Sequence, residues 1–361
     1  MTPRQVARLR LPAQRVISHA EASPAEVVAA LGAIQAQDYL GSLWAVGLRT
    51  PHATEAEVEQ AIAERVILRS WPMRGTLHFV APADLCWMLA LFSPRLIAGS
   101  AGRNRQLELD DDVFRRSRKA LVAALQGGQS LTREEVYSTL ERSKISPAGQ
   151  RGYHILWRLA QEGLLCCGAR RGKQPTFALL DEWSPPPTKT LDREESLAEL
   201  ARRYFQSHGP ATLADFTWWS GLKITEARAA LDSVAGELQG EEIAEVKWWM
   251  SSTQPSTKIP HSIRLLPGFD EFILGYTDRG ISLEPQYVQA VIPGTNGMFL
   301  ATIVNDGRVV GTWKREIQKR SVSISATFFA PPKKAEVEAA AAEAECYGRF
   351  LGRETKFAVQ L

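Results

Sequence analysis

What most constrains the fold is an order of elements that returns along the chain. Helical stretches are closed by a pair of short β-type runs, and each pass contains a threonine-led capping box. The boxes are Thr54 with Glu57, Thr132 with Glu135 and Thr212 with Asp215, a hydroxyl followed three residues later by an acid. That spacing satisfies the free amides of a first helical turn from both directions, so each box marks a helix start for a physical reason.

In the first pass, residues 4–10 predict a short basic helix. Ser23-Pro24 with Glu26 opens another that carries Val27, Val28 and Leu31 at helical spacing. Leu43 to Leu48 reads as a short strand and Ala53 to Ala63 as the boxed helix. Val66 to Ser70 and Gly75 to Val80 read as strands across a turn at Pro72, and Pro82 to Leu91 as a further helix. In the second pass, Asp112 to Leu125 is helical, Gly127-Gly128 breaks it, and Thr132 caps the next helix. Residues 148–162 predict a third helix. Its apolar stripe is Ile155, Leu156, Leu159 and Ala160, with Arg151, His154, Arg158 and Gln161 opposite. Leu164 to Cys167 and Thr176 to Leu180 then form a hairpin around the loop Gly168 to Lys173. After a stiff linker at Pro185-Pro186-Pro187, helices at Glu194 to Ser207, Thr212 to Trp219 and Ile224 to Val234 precede a third hairpin within Leu238 to Met250. Helix, helix, helix, hairpin describes a winged helix, and its recurrence predicts tandem copies.

The last third changes character. Ile263 to Leu266, Phe272 to Leu274, Val288 to Ile292, Met298 to Val304, Val309 to Trp313 and Ser321 to Phe328 are short β-type runs separated by turn residues. Asp306-Gly307 between two apolar runs is a strong hairpin signal. These predict a small β-barrel, followed by a helix over 333–350 and a closing strand at Lys356 to Val359. The fold class expected is α+β, with units at residues 1–108, 109–182, 191–258 and 259–361.

Composition narrows the function. With 45% apolar and 23% charged residues the chain is globular, and no apolar run is long enough for a signal peptide or a membrane span, so a cytoplasmic monomer is expected. The four cysteines lack metal or redox spacing, and no phosphate loop or dinucleotide fingerprint occurs, so neither metal nor cofactor is expected. Net charge is only +3, so an anionic partner must meet local patches. The hairpin cations Arg170, Arg171 and Lys173, with two glycines that let backbone approach closely, suit phosphate contact. In a helix-turn-helix the third helix faces the major groove, which makes Arg151 and Arg158 candidates as well. Arg74 is a further phosphate candidate.

Gln35 and Gln37, two residues apart at the end of an apolar helical pattern, share a side only if the backbone has left the helix. The plain alternative is a polar helix terminus. Asp38 adjoins the pair. His78, within a strand, has the plain reading of a satisfied structural histidine. Asp270 and Glu271 would face apart if extended, which argues for structural hydrogen bonding over paired-carboxylate chemistry, and the same holds for Tyr276, Asp278 and Arg279.

Four stretches together carry a resemblance: Leu31-Gly-Ala-Ile-Gln-Ala-Gln-Asp38, Met73-Arg-Gly-Thr-Leu-His-Phe-Val80, Leu265 to Arg279 (LLPGFDEFILGYTDR) and Val310-Gly-Thr-Trp-Lys-Arg315. In this order they resemble the bacterial AlkZ/YcaQ-type DNA glycosylase family. The resemblance implies three tandem winged helices and a β-barrel in a C shape around double-stranded DNA. It also implies release of alkylated bases and unhooking of interstrand crosslinks. Gln35 and Gln37 would be the catalytic Gln-x-Gln pair of the AlkZ-like branch, where the YcaQ-like branch has Asp at the second position. Asp38 and His78 would lie near the site. The chemistry is coherent, because a purine alkylated at guanine N7 or adenine N3 is already cationic and departs without a general acid. An amide that positions water then suffices. The competing reading from the fold alone is a non-catalytic winged-helix regulator or damage binder.

Overall fold

The computed structural model describes residues 1–360 apart from 18–21, 185–189, 244, 254–258 and 295–296, so the proline linker expected at 185–187 lies outside the described residues. The chain divides into two compact units. The first joins Met1–Val58 to Leu197–Leu361, and the second is Glu59–Ser196.

In the first unit, Ser23 and Glu26 close a reciprocal capping box on helix Pro24–Leu31, with Ser23 N donating to Glu26 Oε2 at 2.7 Å and Glu26 N to Ser23 Oγ at 3.3 Å. Gly32, at φ +76°, ends that helix in a conformation that L side chains rarely adopt. The chain runs on as the short strand Ile34–Gln35 and re-enters helix at Tyr39–Gly47. Sequence patterning predicts a strand at Leu43–Leu48; the structure replaces it with that helix. The reason is burial on every side: Gly41 through Gly47 are all buried, so no polar face exists to reveal a helical period. A Cβ on Gly47 would stand 2.3 Å from the Phe350 ring, and Trp44 packs against Tyr347 and Phe350 with centroids 5.1 Å away in each case.

Helices Arg193–His208, Leu213–Ser220 and Ile224–Val234 and the hairpin Leu238–Ile243/Val246–Ser251 follow the expected order, with Thr212 and Asp215 closing their box. The C-terminal sheet has the order Glu354–Gln360, Ser321–Phe328, Arg308–Ile317, Thr302–Asn305, Ile263–Leu266. Among the described residues it is open, with edges at Ile263–Leu266 and Glu354–Gln360, so the expected barrel is corrected to a five-stranded sheet. Its outer pair is parallel, which requires a crossover, and helix Lys334–Leu351 supplies it. The Asp306-Gly307 turn forms as expected, both residues at positive φ. Two short apolar runs expected to be β, Phe272–Leu274 and Val288–Ile292, are instead one-turn helices, Glu271–Leu274 and Val288–Val291. Runs this short carry no period that separates helix from strand.

In the second unit, five strands pair in the order Thr76–Val80, Leu68–Met73, Leu165–Arg171, Gln174–Leu179, Leu131–Thr132. The turn of the first hairpin lies at Arg74-Gly75, not Pro72, which sits inside Leu68–Met73. Helices Asp111–Leu125, Arg133–Arg142 and Arg151–Gln161 pack on a core that includes Leu121, Leu140, Ile155, Leu159 and Phe177. The same device occurs at the start of one boxed helix in each unit. Leu131–Thr132 pairs with Phe177 and Thr176 of one hairpin, and Ala211 bridges Trp249 of the other. Gln161, expected on the polar face of its helix, is buried and donates to Trp71 O at 2.6 Å.

Candidate active site

Because the helix stops at Gly32, Gln35 and Gln37 are not on opposite faces of a helix. Gln35 is only 9% exposed, and Gln37 is exposed. The Gln35 side-chain oxygen Oε1 is buried without a hydrogen-bond partner among the described residues. A buried acceptor left unmatched is costly by about 1–3 kcal/mol, and this one lies on the first amide of the Gln-x-Gln motif.

What fixes Gln35 is its main chain. Its N–H donates to Glu271 Oε1 at 3.1 Å, while Glu271 Oε2 accepts from Trp219 Nε1 at 3.0 Å. Around Glu271 lies a buried polar network in the same unit. Arg49 makes two 2.8 Å bonds to the Asp270 carboxylate and donates to Gln14 O and Ala45 O. Asp270 also caps helix Glu271–Leu274 by accepting from Phe272 N at 3.0 Å. Gln14 Nε2 donates to the Tyr276 hydroxyl at 2.8 Å, and that hydroxyl donates to His208 O at 2.7 Å. The Arg10 guanidinium lies 3.4 Å over the Tyr276 ring. Burial raises the Tyr276 phenol above its ordinary range, which keeps it a donor, and burial lowers His208, which keeps it neutral against the opposing pull of Glu271.

Asp38 does not cap its own helix. It accepts from Arg315 at 3.2 Å, in a position that only a glycine at 41 allows, since a Cβ there would stand 2.5 Å from Asp38 Oδ2. Gln35, Gln37, Asp38 and Arg315 therefore belong to one unit.

The other candidates belong to the second unit. Arg74, at φ +55°, occupies the hairpin turn and its guanidinium is 3.1 Å from His78 Nε2, while His78 Nδ1 is 2.9 Å from Thr76 O. That pattern fits a neutral imidazole with its proton on Nδ1, and His78 is fully buried. Arg151 donates to Ser146 O and Glu108 O, and Arg158 pairs with Glu162 at 2.5 Å over the Phe114 ring. In the hairpin, Arg170 pairs with Glu59 at 3.2 Å and Arg171 with Glu135 at 2.7 Å. Strand Leu165–Arg171 runs through most of the expected loop, which leaves the exposed Lys173 at a tight turn beside Gly172. The structure thus gathers the hairpin cations but gives both arginines carboxylate partners.

From sequence alone Glu271 reads as structural and Trp219 as core, and nothing singles out Gln14, Arg49 or His208. Glu271 had a signal, since it sits within a stretch that carries the resemblance. Arg49 and His208 had none, because each is scattered in sequence and gains its partners only through the fold. Among the described residues no His, Cys, Asp and Glu group could hold a metal ion, and no helix is long and apolar enough to cross a membrane.

Comparison with known proteins identifies the family. The family model described as DNA glycosylase AlkZ-like matches residues 28–350. The interstrand DNA cross-link repair glycosylase of Streptomyces sahachiroi is 29% identical over 339 residues, 86% of this chain and 87% of that relative. The solved structure of Streptomyces sahachiroi DNA glycosylase AlkZ superposes with a TM-score of 0.83 at 25% identity, covering 100% of both chains. The family match spans Gln35, Gln37, Glu271 and Arg315 alike, and this chain belongs to the DNA glycosylase AlkZ-like family.

Proposed function

We propose that this protein hydrolyses the N-glycosidic bond of cationic alkylated purines, N7-alkylguanine and N3-alkyladenine, in duplex DNA, and that it unhooks interstrand crosslinks made through such positions. Gln35 and Gln37 are the residues that position water. The observation that carries the reading is the buried, unmatched Gln35 Oε1 on a rigidly held backbone. An amide oxygen so placed accepts a hydrogen bond from water and aims a water lone pair at C1′. As the C1′–N bond breaks, its electron pair neutralises the cationic base; as the C1′–O bond forms, the water proton passes to solvent. No strong base is required, because the leaving group is already activated. Neutral bases lack that activation and are poor substrates.

The cross-link repair activity in the name of the Streptomyces sahachiroi relative supports the crosslink part of this reading. The repeated helix, helix, helix, hairpin order supports winged-helix contact with DNA, with Lys173 and Arg74 as phosphate contacts. Incubation of the purified protein with methylated duplex tests the function. Release of free N7-methylguanine without strand cleavage is expected, together with conversion of an N7–N7 crosslinked duplex to separable strands. Tight binding to either duplex with no base released would instead make the protein a damage binder.

A further inference from the structure

We propose that Glu271 is a positioning residue for base excision, acting through the main chain of Gln35. The proposal rests on the reading of Gln35 and Gln37 given above. Glu271 lies 236 residues from Gln35 in sequence, yet its carboxylate accepts the Gln35 N–H at 3.1 Å. The strand Ile34–Gln35 is only two residues long, so little of its own backbone pairing fixes the peptide that carries the Gln35 side chain. Glu271 is 1% exposed and is itself clamped. Asp270 caps its helix and is held by the two terminal Arg49 nitrogens, and Gln14 Nε2 reaches the Glu271 carbonyl at 3.4 Å. The rigidity of that clamp passes to Gln35 through one hydrogen bond to a charged acceptor, the stronger kind of such bonds.

The second carboxylate oxygen makes the assignment testable. Glu271 Oε2 accepts from Trp219 Nε1, so each oxygen accepts from a donor, the Gln35 amide at one and the indole at the other. A glutamine at 271 satisfies only one and turns an N–H₂ group against the other. Removing the indole donor as well resolves the conflict. The Oε1 of the glutamine then serves Gln35, and its N–H₂ points toward His208 Nε2, which lies 3.5 Å from the present Oε2. His208 Nδ1 can donate to Ser207 Oγ at 2.8 Å, whose own hydroxyl donates to Arg203 O, so Nε2 is available as an acceptor.

The test compares Glu271→Ala, Glu271→Gln, Glu271→Gln with Trp219→Phe, and Gln35→Ala in single-turnover release of N7-methylguanine at saturating enzyme. Duplex affinity and thermal midpoint are measured alongside. Glu271→Ala and Glu271→Gln should each lower the excision rate of the folded protein by about tenfold or more at unchanged duplex affinity, the signature of lost orientation. The double variant should recover most of the Glu271→Gln loss. Wild-type excision by Glu271→Ala, with Gln35→Ala impaired, overturns the positioning role while the amide mechanism stands. Wild-type rates in both overturn the mechanism itself. Should Glu271→Ala fail to fold, equal rates for Glu271→Gln and the double variant overturn the proposal.

Discussion

Arg49 and Asp270 are 1% and 2% exposed at their side chains, and each carries a charge that the protein interior tolerates only because the other is bonded to it twice. Removing one partner strands the other. Asp270→Ala should therefore destabilise the fold by about 3–5 kcal/mol, whereas replacing both with apolar residues of similar volume should cost much less. Urea midpoints at constant m-value check this. His208 gives a pH dependence of known sign. Its folded pKa lies below the ordinary value of 6.5 because of burial, opposed by Glu271 and aided by Arg49 and Arg10. Between about pH 7 and 5 the unfolded chain takes up a proton that the folded chain refuses, so stability falls as pH drops through that window. The thermal midpoint of wild type should fall more steeply there than that of His208→Gln. At this scale the sequence was half legible. Gln35 and Gln37 were visible as a motif, but Glu271 was read on an extended backbone, and only its one-turn helix turns it toward Gln35.

Among the elements, the junction of helix Pro24–Leu31 with strand Ile34–Gln35 decides where the amide pair lies. A Cβ on Gly32 would meet nothing closer than 3.7 Å, so the objection to a side chain there is conformational, φ +76°, rather than steric. Gly32→Ala should cost about 1 kcal/mol in stability and lower excision disproportionately as the strand shifts. Thermal midpoint and single-turnover rate, measured on the same preparation, separate the two effects. The hairpin Leu165–Arg171/Gln174–Leu179 is different, because Arg170 and Arg171 already hold Glu59 and Glu135. Alanine at 170, 171 and 173 together should flatten the log–log salt dependence of duplex binding by about 0.9, the share of Lys173 alone. A change near threefold larger would mean that both arginines leave their carboxylates for phosphate. Capped helices and turn-led hairpins were legible here because their signals are local. The helix Tyr39–Gly47 and the open sheet were not, since uniform burial hides a period and sheet closure is not a local property.

For the whole molecule, the first compact unit is assembled from both ends of the chain, Met1–Val58 with Leu197–Leu361, and the support for Gln35 comes from the far end. No linear reading of boundaries anticipates that, because partners more than two hundred residues apart leave no mark in local patterning. The family match over residues 28–350 includes both Gln35 and Glu271. Whether the two amides perform the hydrolysis is measured most directly by single-turnover release of N7-methylguanine by Gln35→Ala and Gln37→Ala. Each should excise on the order of a hundredfold more slowly than wild type, as expected for loss of one preorganised polar group, with duplex affinity and thermal midpoint nearly unchanged. If the two act on one water, the double variant should fall little below either single. Excision at the wild-type rate by both single variants would contradict the account and place the chemistry elsewhere in the molecule.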